Sequence, residues 1–245
     1  MMEQVKKQCS KLRLIGIMEH LDHRTSSALE SQIHPLDYLR LLLEDEALYR
    51  KNARAKRLIS RARFRHDCDI EDWDDSFDRG ISKAKMKDLA KLNFFKAQEN
   101  LVILGKTGEG KTHIAMSIGK KLCTEGFSSL FFSVNFLFEE ILASKASGDY
   151  LKMVKKITKS PVLILDDFGL RNYTHDEATS LIDIIEERYQ KGVIIVTSQV
   201  SPKGWHQLFE DPVIAEAIVD RLTKPSLTLK LKGGSYRDRL GKKVA

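Results

Sequence analysis

The chain has 245 residues, 42% hydrophobic and 31% charged, and its 41 Lys and Arg against 34 Asp and Glu leave a net charge of +7. At roughly 150 residues per domain this predicts one or two domains with a full core, and the composition excludes a wholly disordered, collagen-like or disulfide-scaffold protein. The charge invites a polyanionic partner without proving one.

In chain order, the start MMEQVKKQCS has no apolar segment before a small-residue cleavage site, so no secretion signal is expected. KLRLIGIMEHL places apolar residues at 12, 14, 15, 17, 18 and 21, the pattern of a buried amphipathic helix. Pro35 then opens a second helix, with Leu36, Leu39, Leu43 and Ala47 at three- and four-residue steps. That helix is expected to run through the basic block 50–65, which holds eight Arg and Lys and no acid, with Leu58, Ile59 and Ala62 inside. The acidic block 67–78 follows, with seven acids and no base. Such runs are either solvated faces, a pair folded on each other, or a nucleic-acid surface. Residues 66–80 read as a polar linker anchored by Trp73 and Phe77, and 82–98 as a helix around Met86, Leu89, Leu92 and Phe95.

From residue 101 short apolar runs alternate with helices. LVIL (101–104), SLFFSV (129–134), VLILD (162–166) and VIIVTS (193–198) enclose helices at about 110–125, 135–157 and 174–190. This is the signature of a parallel sheet buried on both faces by helices. Two short helices are expected at 202–210 and 212–222, the second capped by Asp211 with Pro212 in its first turn. SLTLKLK (226–232) alternates as a final strand would. From Arg221 onward eight basic residues face one acid, Asp238, so this tail carries the net charge. No apolar run approaches the ~18 residues of a membrane span. Cys9, Cys68 and Cys123 form no CxxC, which together with the missing signal predicts reduced thiols and a cytoplasmic location.

Residues 105–112, GKTGEGKT, match GxxxxGK[ST] between a strand and a helix, the context that gives this pattern its meaning. Gly105, Gly108 and Gly110 let the loop around Lys106, Thr107 and Glu109 curl its N–H groups onto phosphate oxygens, and the following helix adds its dipole. Lys111 reaches the β- and γ-phosphates of ATP, the Thr112 hydroxyl holds Mg²⁺, and His113 borders the site. In VLILDDFG, Asp166 closes a buried strand where a metal carboxylate is needed, and Asp167 stands where a base orients water. The next strand ends in Thr197, Ser198 and Gln199, of which Ser198 or Gln199 is the candidate contact to the γ-phosphate or attacking water; a cap for the helix at Pro202 is the alternative. His20 and His23 lie three apart on a helix but lack a third ligand nearby, so no metal site is expected there.

Together GKTGEGKT, VLILDDFG, VTSQVSPKGWHQLFEDP and AEAIVDRL resemble the IstB-like helper ATPases of insertion-sequence transposons. KLRLIGIMEHL and PLDYLRLLLEDEALYRKNARAKRLISRARF look like that family's helical amino-terminal domain. The likeness runs from about residue 10 to 240. It implies an α/β fold: an AAA+ P-loop NTPase core, a parallel sheet of order 5-1-4-3-2 flanked by helices, with an all-helical N-terminal domain. The expected division is 1–66 for that domain, 67–98 for a linker and connecting helix, and 99–245 for the ATPase with its basic tail. Arg221, in VDRL, matches the arginine finger that completes a neighbouring subunit's site, and Arg237, in GGSYRDR, resembles a second sensor arginine. Residues 134–159 match the clade's extra helix lining a DNA channel, with Lys145, Lys152, Lys155, Lys156 and Lys159 as phosphate contacts. The resemblance therefore implies an ATPase that assembles as a homo-oligomer on duplex DNA, largely without sequence preference, and regulates or targets a cognate transposase. A DnaC-like helicase loader shares the same core and is the alternative. A P-loop kinase for a small molecule, or a nucleotide-locked DNA binder without turnover, fits less of the chain.

Overall fold

In the computed structural model, which describes residues 1–74 and 76–236, the chain forms two compact units, Met1–Arg57 and Leu58–Ala245. The first contains α1 (Met2–Lys11), α2 (Ile15–Glu30) and most of α3 (Pro35–Arg61). Its small core is Cys9, Ile17, Leu21 and Leu42. Gly16 is required by close approach: a Cβ there would lie 2.5 Å from Tyr49 Cβ and 2.7 Å from the Asp45 carbonyl oxygen. Arg24 holds Asp45 through two hydrogen bonds of 2.8 Å, and the buried Glu46 accepts from the Ile17 N–H at 3.2 Å and from Arg50 at 2.7 Å.

Every strand lies in the second unit. β1 (Asn100–Leu104), β2 (Ser129–Ser133), β3 (Val162–Phe168), β4 (Val193–Ser198) and β5 (Ser226–Lys230) form one sheet of order β2-β3-β4-β1-β5, parallel throughout. Read from the other edge this is the expected 5-1-4-3-2, with the alternating run at 226–232 supplying the edge strand. The inner strands carry apolar side chains on both faces because helices cover both. Val102, Leu163, Leu165, Ile194 and Val196 pack beneath α7 (Val134–Ala146), α8 (Tyr150–Thr158), α9 (His175–Arg188) and α11 (Pro212–Thr223). The alternate residues Leu101, Ile103, Ile164 and Ile195 face α6 (Lys111–Thr124) and the segment 68–73. α11 begins at Pro212, with the Asp211 carboxylate accepting from the Val213 and Ile214 N–H groups.

Four expected helices are broken. KLRLIGIMEHL is interrupted where α1 ends at Lys11 and α2 starts at Ile15, with Arg13 at φ +57° between them. The span 135–157 divides into α7 and α8 at Gly148, whose φ of +75° lies in the left-handed region, where glycine carries no Cβ penalty. Residues 82–98 form the short α4 (Lys83–Leu89) and α5 (Asn93–Lys96), parted at Leu92 with φ +57°. Residues 202–210 give only α10 (Pro202–Trp205) and one 3-10 turn. Among the described residues no helix is long and apolar enough to cross a membrane.

The acidic stretch is not a free linker. Ile70 and Trp73 are buried against the face of the sheet that α6 covers. Asp67 and Asp69 both pair with Lys120 of α6 at 2.7 Å. Gly119 makes room for this layer: a Cβ there would lie 2.9 Å from the Phe64 ring. Residues 64–74 thereby become a wall beside the phosphate loop.

Candidate active site

A cavity of about 660 Å³ opens at the carboxyl ends of β1, β3 and β4. Its floor is the loop between β1 and α6, and this is where open α/β sheets hold ligands. Gly108 (φ +84°) and Gly110 (φ +98°) take left-handed conformations that turn the loop. A Cβ at Gly105 would meet the Glu109 carboxylate and lie 2.9 Å from Leu231 Cβ, so this position too admits only glycine without rearrangement. Glu109 is buried, and its carboxylate accepts from the Lys106 N–H at 2.6 Å and the Gly233 N–H at 3.2 Å. The Glu109 carboxylate is thus a brace inside the loop whose N–H groups are the expected phosphate contacts. The buried Lys111 sends its ammonium to the Lys106 carbonyl at 2.9 Å. Thr107, Gly108, Gly110, Lys111, Thr112 and His113 border the cavity.

β3 brings the carboxylates to this floor through a register shift. Leu165 pairs with Val196 and Phe168 with Ser198, so three steps on β3 match two on β4. The extra residue is accommodated as a bulge, a device that re-aims a side chain. Asp167 there has φ +61°, unusual for a non-glycine residue, and lines the cavity. Asp166 remains fully buried, its Oδ1 accepting from the Thr112 hydroxyl at 2.8 Å and from the Thr197 hydroxyl at 2.6 Å. Its Oδ2 is buried without a hydrogen-bond partner, and the nearest cation is the Arg65 guanidinium at 3.8 Å. Burial pushes the Asp166 carboxyl above the ordinary carboxylate range, against the two hydroxyl donors that favour its charged form. An orphan carboxylate oxygen beside a threonine hydroxyl is a hard-oxygen set that suits Mg²⁺. Thr112 and Asp166 are the residues that would hold it.

Thr197 is the site residue that sequence reasoning passed over. Besides donating to Asp166, its hydroxyl accepts from the Asp167 N–H at 3.0 Å, so one buried side chain fixes both carboxylate positions. Strand alternation was the available signal: Thr197 and Gln199 are two apart and Ser198 points the other way. Of the two candidates named from sequence, Gln199 lines the cavity and receives the Thr107 hydroxyl at 3.0 Å. Ser198 is fully buried; it donates to the Phe168 carbonyl at 2.7 Å and accepts from the Val200 N–H at 3.1 Å. Ser198 therefore secures the end of β3 and does not reach the cavity. The aromatic cluster of Phe168, Tyr173, Trp205 and Phe209 supports the same corner.

The wall was also missed. Arg65, His66, Trp73 and Arg79 all border the cavity, and the Arg79 guanidinium stacks 3.3 Å above the Trp73 ring. Arg221 lies elsewhere, on α11, bonded to Glu186 of α9 at 2.9 Å, and it is not among the residues bordering the cavity. Lys145, Lys152, Lys155, Lys156 and Lys159 are all exposed. On α8 and its cap, 152, 155, 156 and 159 share one face by helical spacing, while Val154 and Ile157 turn inward. Lys152 is paired with Asp149 at 2.8 Å, and Lys145 lies 5.2 Å over the Tyr150 ring. Arg237 lies outside the described residues.

The family model for IstB-like ATP binding proteins matches residues 7–244, nearly the whole chain. The chain belongs to that family. A relative from Mycobacterium tuberculosis, named for ATP binding in an insertion sequence, is 32% identical over 93% of this chain and 91% of its own length. Another from Pseudomonas aeruginosa, named for the insertion sequence IS21, is 30% identical over 96% of this chain and 89% of its own. Among solved structures, the DnaC helicase loader aligns over 67% of this chain and 97% of its own, with a TM-score of 0.56 at 22% identity. AMPPCP-bound DnaA from Aquifex aeolicus aligns over 74% of this chain and 56% of its own, with a TM-score of 0.58 at 15% identity. These two likenesses bear out the fold, a parallel sheet of order 5-1-4-3-2 flanked by helices. The IstB-like chain is an ATPase.

Proposed function

We propose that this IstB-like ATPase is a switch: ATP joins its copies into an oligomer on duplex DNA, the oligomer regulates or targets the transposase of its insertion sequence, and hydrolysis takes it apart. The observation that carries this reading is the division of the machinery. Lys111, Thr112 and Asp167 border one cavity, with Asp166 buried behind Thr112, while Arg221 stands outside that border on α11. A guanidinium placed there completes a site only across an interface between copies.

In this mechanism the loop N–H groups and Lys111 grip the β- and γ-phosphates. Mg²⁺, when bound, neutralises phosphate charge at the Thr112 and Asp166 oxygens. Asp167, held off the strand by the bulge and by Thr197, takes the proton of a water aimed at the γ-phosphorus. Gln199, tied to Thr107, stands beside the same water as a sensor. The partner's Arg221 stabilises charge on the leaving phosphoryl group, so assembly and turnover are coupled. The exposed lysines of α8 contact backbone phosphates, which positions the protein on DNA without reading sequence. Residues 1–66 supply contacts to partners, and Arg237 serves as a second sensor of nucleotide.

The solved DnaC loader spans the same core, which supports a helicase-loading role as the second reading. Electron microscopy of the chain with duplex DNA and a slowly hydrolysed ATP analogue tests the proposal. Ordered assemblies are expected only when DNA and analogue are both present; isolated particles under all conditions refute it. Co-purification with a transposase rather than a helicase separates the two readings.

A further inference from the structure

We propose that His66, Cys68 and His113 form a binding site for a zinc-class divalent cation that clamps the wall segment 66–68 to the first turn of α6. Their three ligand atoms lie within 4.8 Å of one another, and no other group of three such donors converges among the described residues. A tetrahedral zinc site needs donor separations of roughly 3.3–3.7 Å, so small side-chain rotations close the set. The donors come from two places more than forty residues apart in sequence, which only the docking of 64–74 on α6 brings together.

The chemistry of the donors selects the ion. Two imidazoles and a thiol suit zinc and exclude Mg²⁺, which takes oxygen ligands. The Asp69 backbone lies beside the His113 ring. The Trp73 ring, 6.4 Å away between centroids, packs beside that imidazole. Cys68 is buried, whereas His66 is exposed and borders the nucleotide cavity, so the fourth coordination position faces solvent. On ligation the Cys68 thiol releases its proton to water, and the resulting thiolate completes the charge-neutralising set. This site is separate from the Mg²⁺ oxygens of Thr112 and Asp166 and does not depend on the proposed assembly.

The full chain, stripped with chelator and free of nucleotide, is titrated with Co²⁺ as a spectroscopic stand-in and then with Zn²⁺. The expected result is about one Co²⁺ per chain, with a thiolate-to-metal charge-transfer band and the intense visible bands of a tetrahedral centre, both abolished by competing Zn²⁺. Cys68→Ser should remove the charge-transfer band, and Cys68→Ser and His66→Ala should each weaken Co²⁺ binding by at least about tenfold. Cys123→Ser, at a buried position in the last turn of α6, should leave the spectrum unchanged. Folded wild-type protein without a charge-transfer band overturns the proposal whatever the variants do. A band lost in Cys123→Ser but kept in Cys68→Ser overturns it equally.

Discussion

Thr197→Val tests whether one hydroxyl positions the two carboxylates. The substitution keeps shape and volume but removes the donor to Asp166 Oδ1 at 2.6 Å and the acceptor of the Asp167 N–H at 3.0 Å. A hydrogen bond to a carboxylate contributes about 1.5–3 kcal/mol, and a buried N–H left unpaired costs about 1–3 kcal/mol. The two losses share one site and are not additive, so about 3 kcal/mol is expected. For a domain of about 150–250 residues that is roughly 6–12 °C in Tm. Turnover should fall further, because freeing Asp167 from its bulge geometry displaces the base, and a shift of about 1 Å costs on the order of 100-fold. Thr197→Ser keeps the hydroxyl and loses only a methyl group, worth about 1 kcal/mol, so it should retain most of the activity. The assay is thermal unfolding by circular dichroism beside phosphate release at saturating ATP. A Thr197→Val protein matching wild type in both would refute the assigned role.

Lys111→Ala should weaken ATP binding by about 100-fold or more, as read by fluorescent-nucleotide titration, since it deletes a charge-assisted phosphate contact. Arg221→Ala should fold normally, because its ion pair with Glu186 is partly exposed, yet lose roughly 1000-fold in turnover. Mixing it with Lys111→Ala subunits should restore phosphate release; no recovery would show that Arg221 does not act in trans. Mg²⁺ binding should weaken as pH falls through the raised Asp166 pKa, because the protonated carboxyl no longer offers an anionic oxygen. Without metal the sign reverses. A carboxyl whose folded pKa exceeds its unfolded value of about 3.9 favours the fold in acid and loses that contribution as pH rises through the folded value. The Tm difference between Asp166→Asn and wild type, followed against pH with and without Mg²⁺, measures both effects.

The parts legible in the sequence are those written in contiguous residues. The phosphate loop, the DD pair near the end of β3 and the order of helices and strands follow from local patterns. What stayed hidden depends on tertiary approach. Residues 66–80 read as a linker with Trp73 as an anchor, and Trp73 is buried as expected, but the seven acids mask Cys68 and Ile70, which are buried against the sheet and α6 as well. Thr197 was undervalued because a threonine closing an apolar strand looks like a boundary, and only the bulge in β3 sets it between Asp166 and Asp167. Ser198 was overvalued because its polarity suggested chemistry, whereas it bonds the Phe168 carbonyl inside the core. The role of the Glu109 carboxylate, which ties Lys106 to Gly233, was not legible in the loop pattern. The break at Gly148 was marked by the glycine itself, but apolar residues on either side kept the helical period running.

The central claim is that hydrolysis at Asp167, and not nucleotide binding, ends the DNA-bound assembly. It is tested most directly with Asp167→Asn, by following phosphate release and sedimentation on duplex DNA in one sample. The account predicts that ATP is still bound, phosphate release is lost, and the sedimenting complex persists while the wild-type complex decays. Normal phosphate release by the variant, or decay of its complex at the wild-type rate, would contradict it.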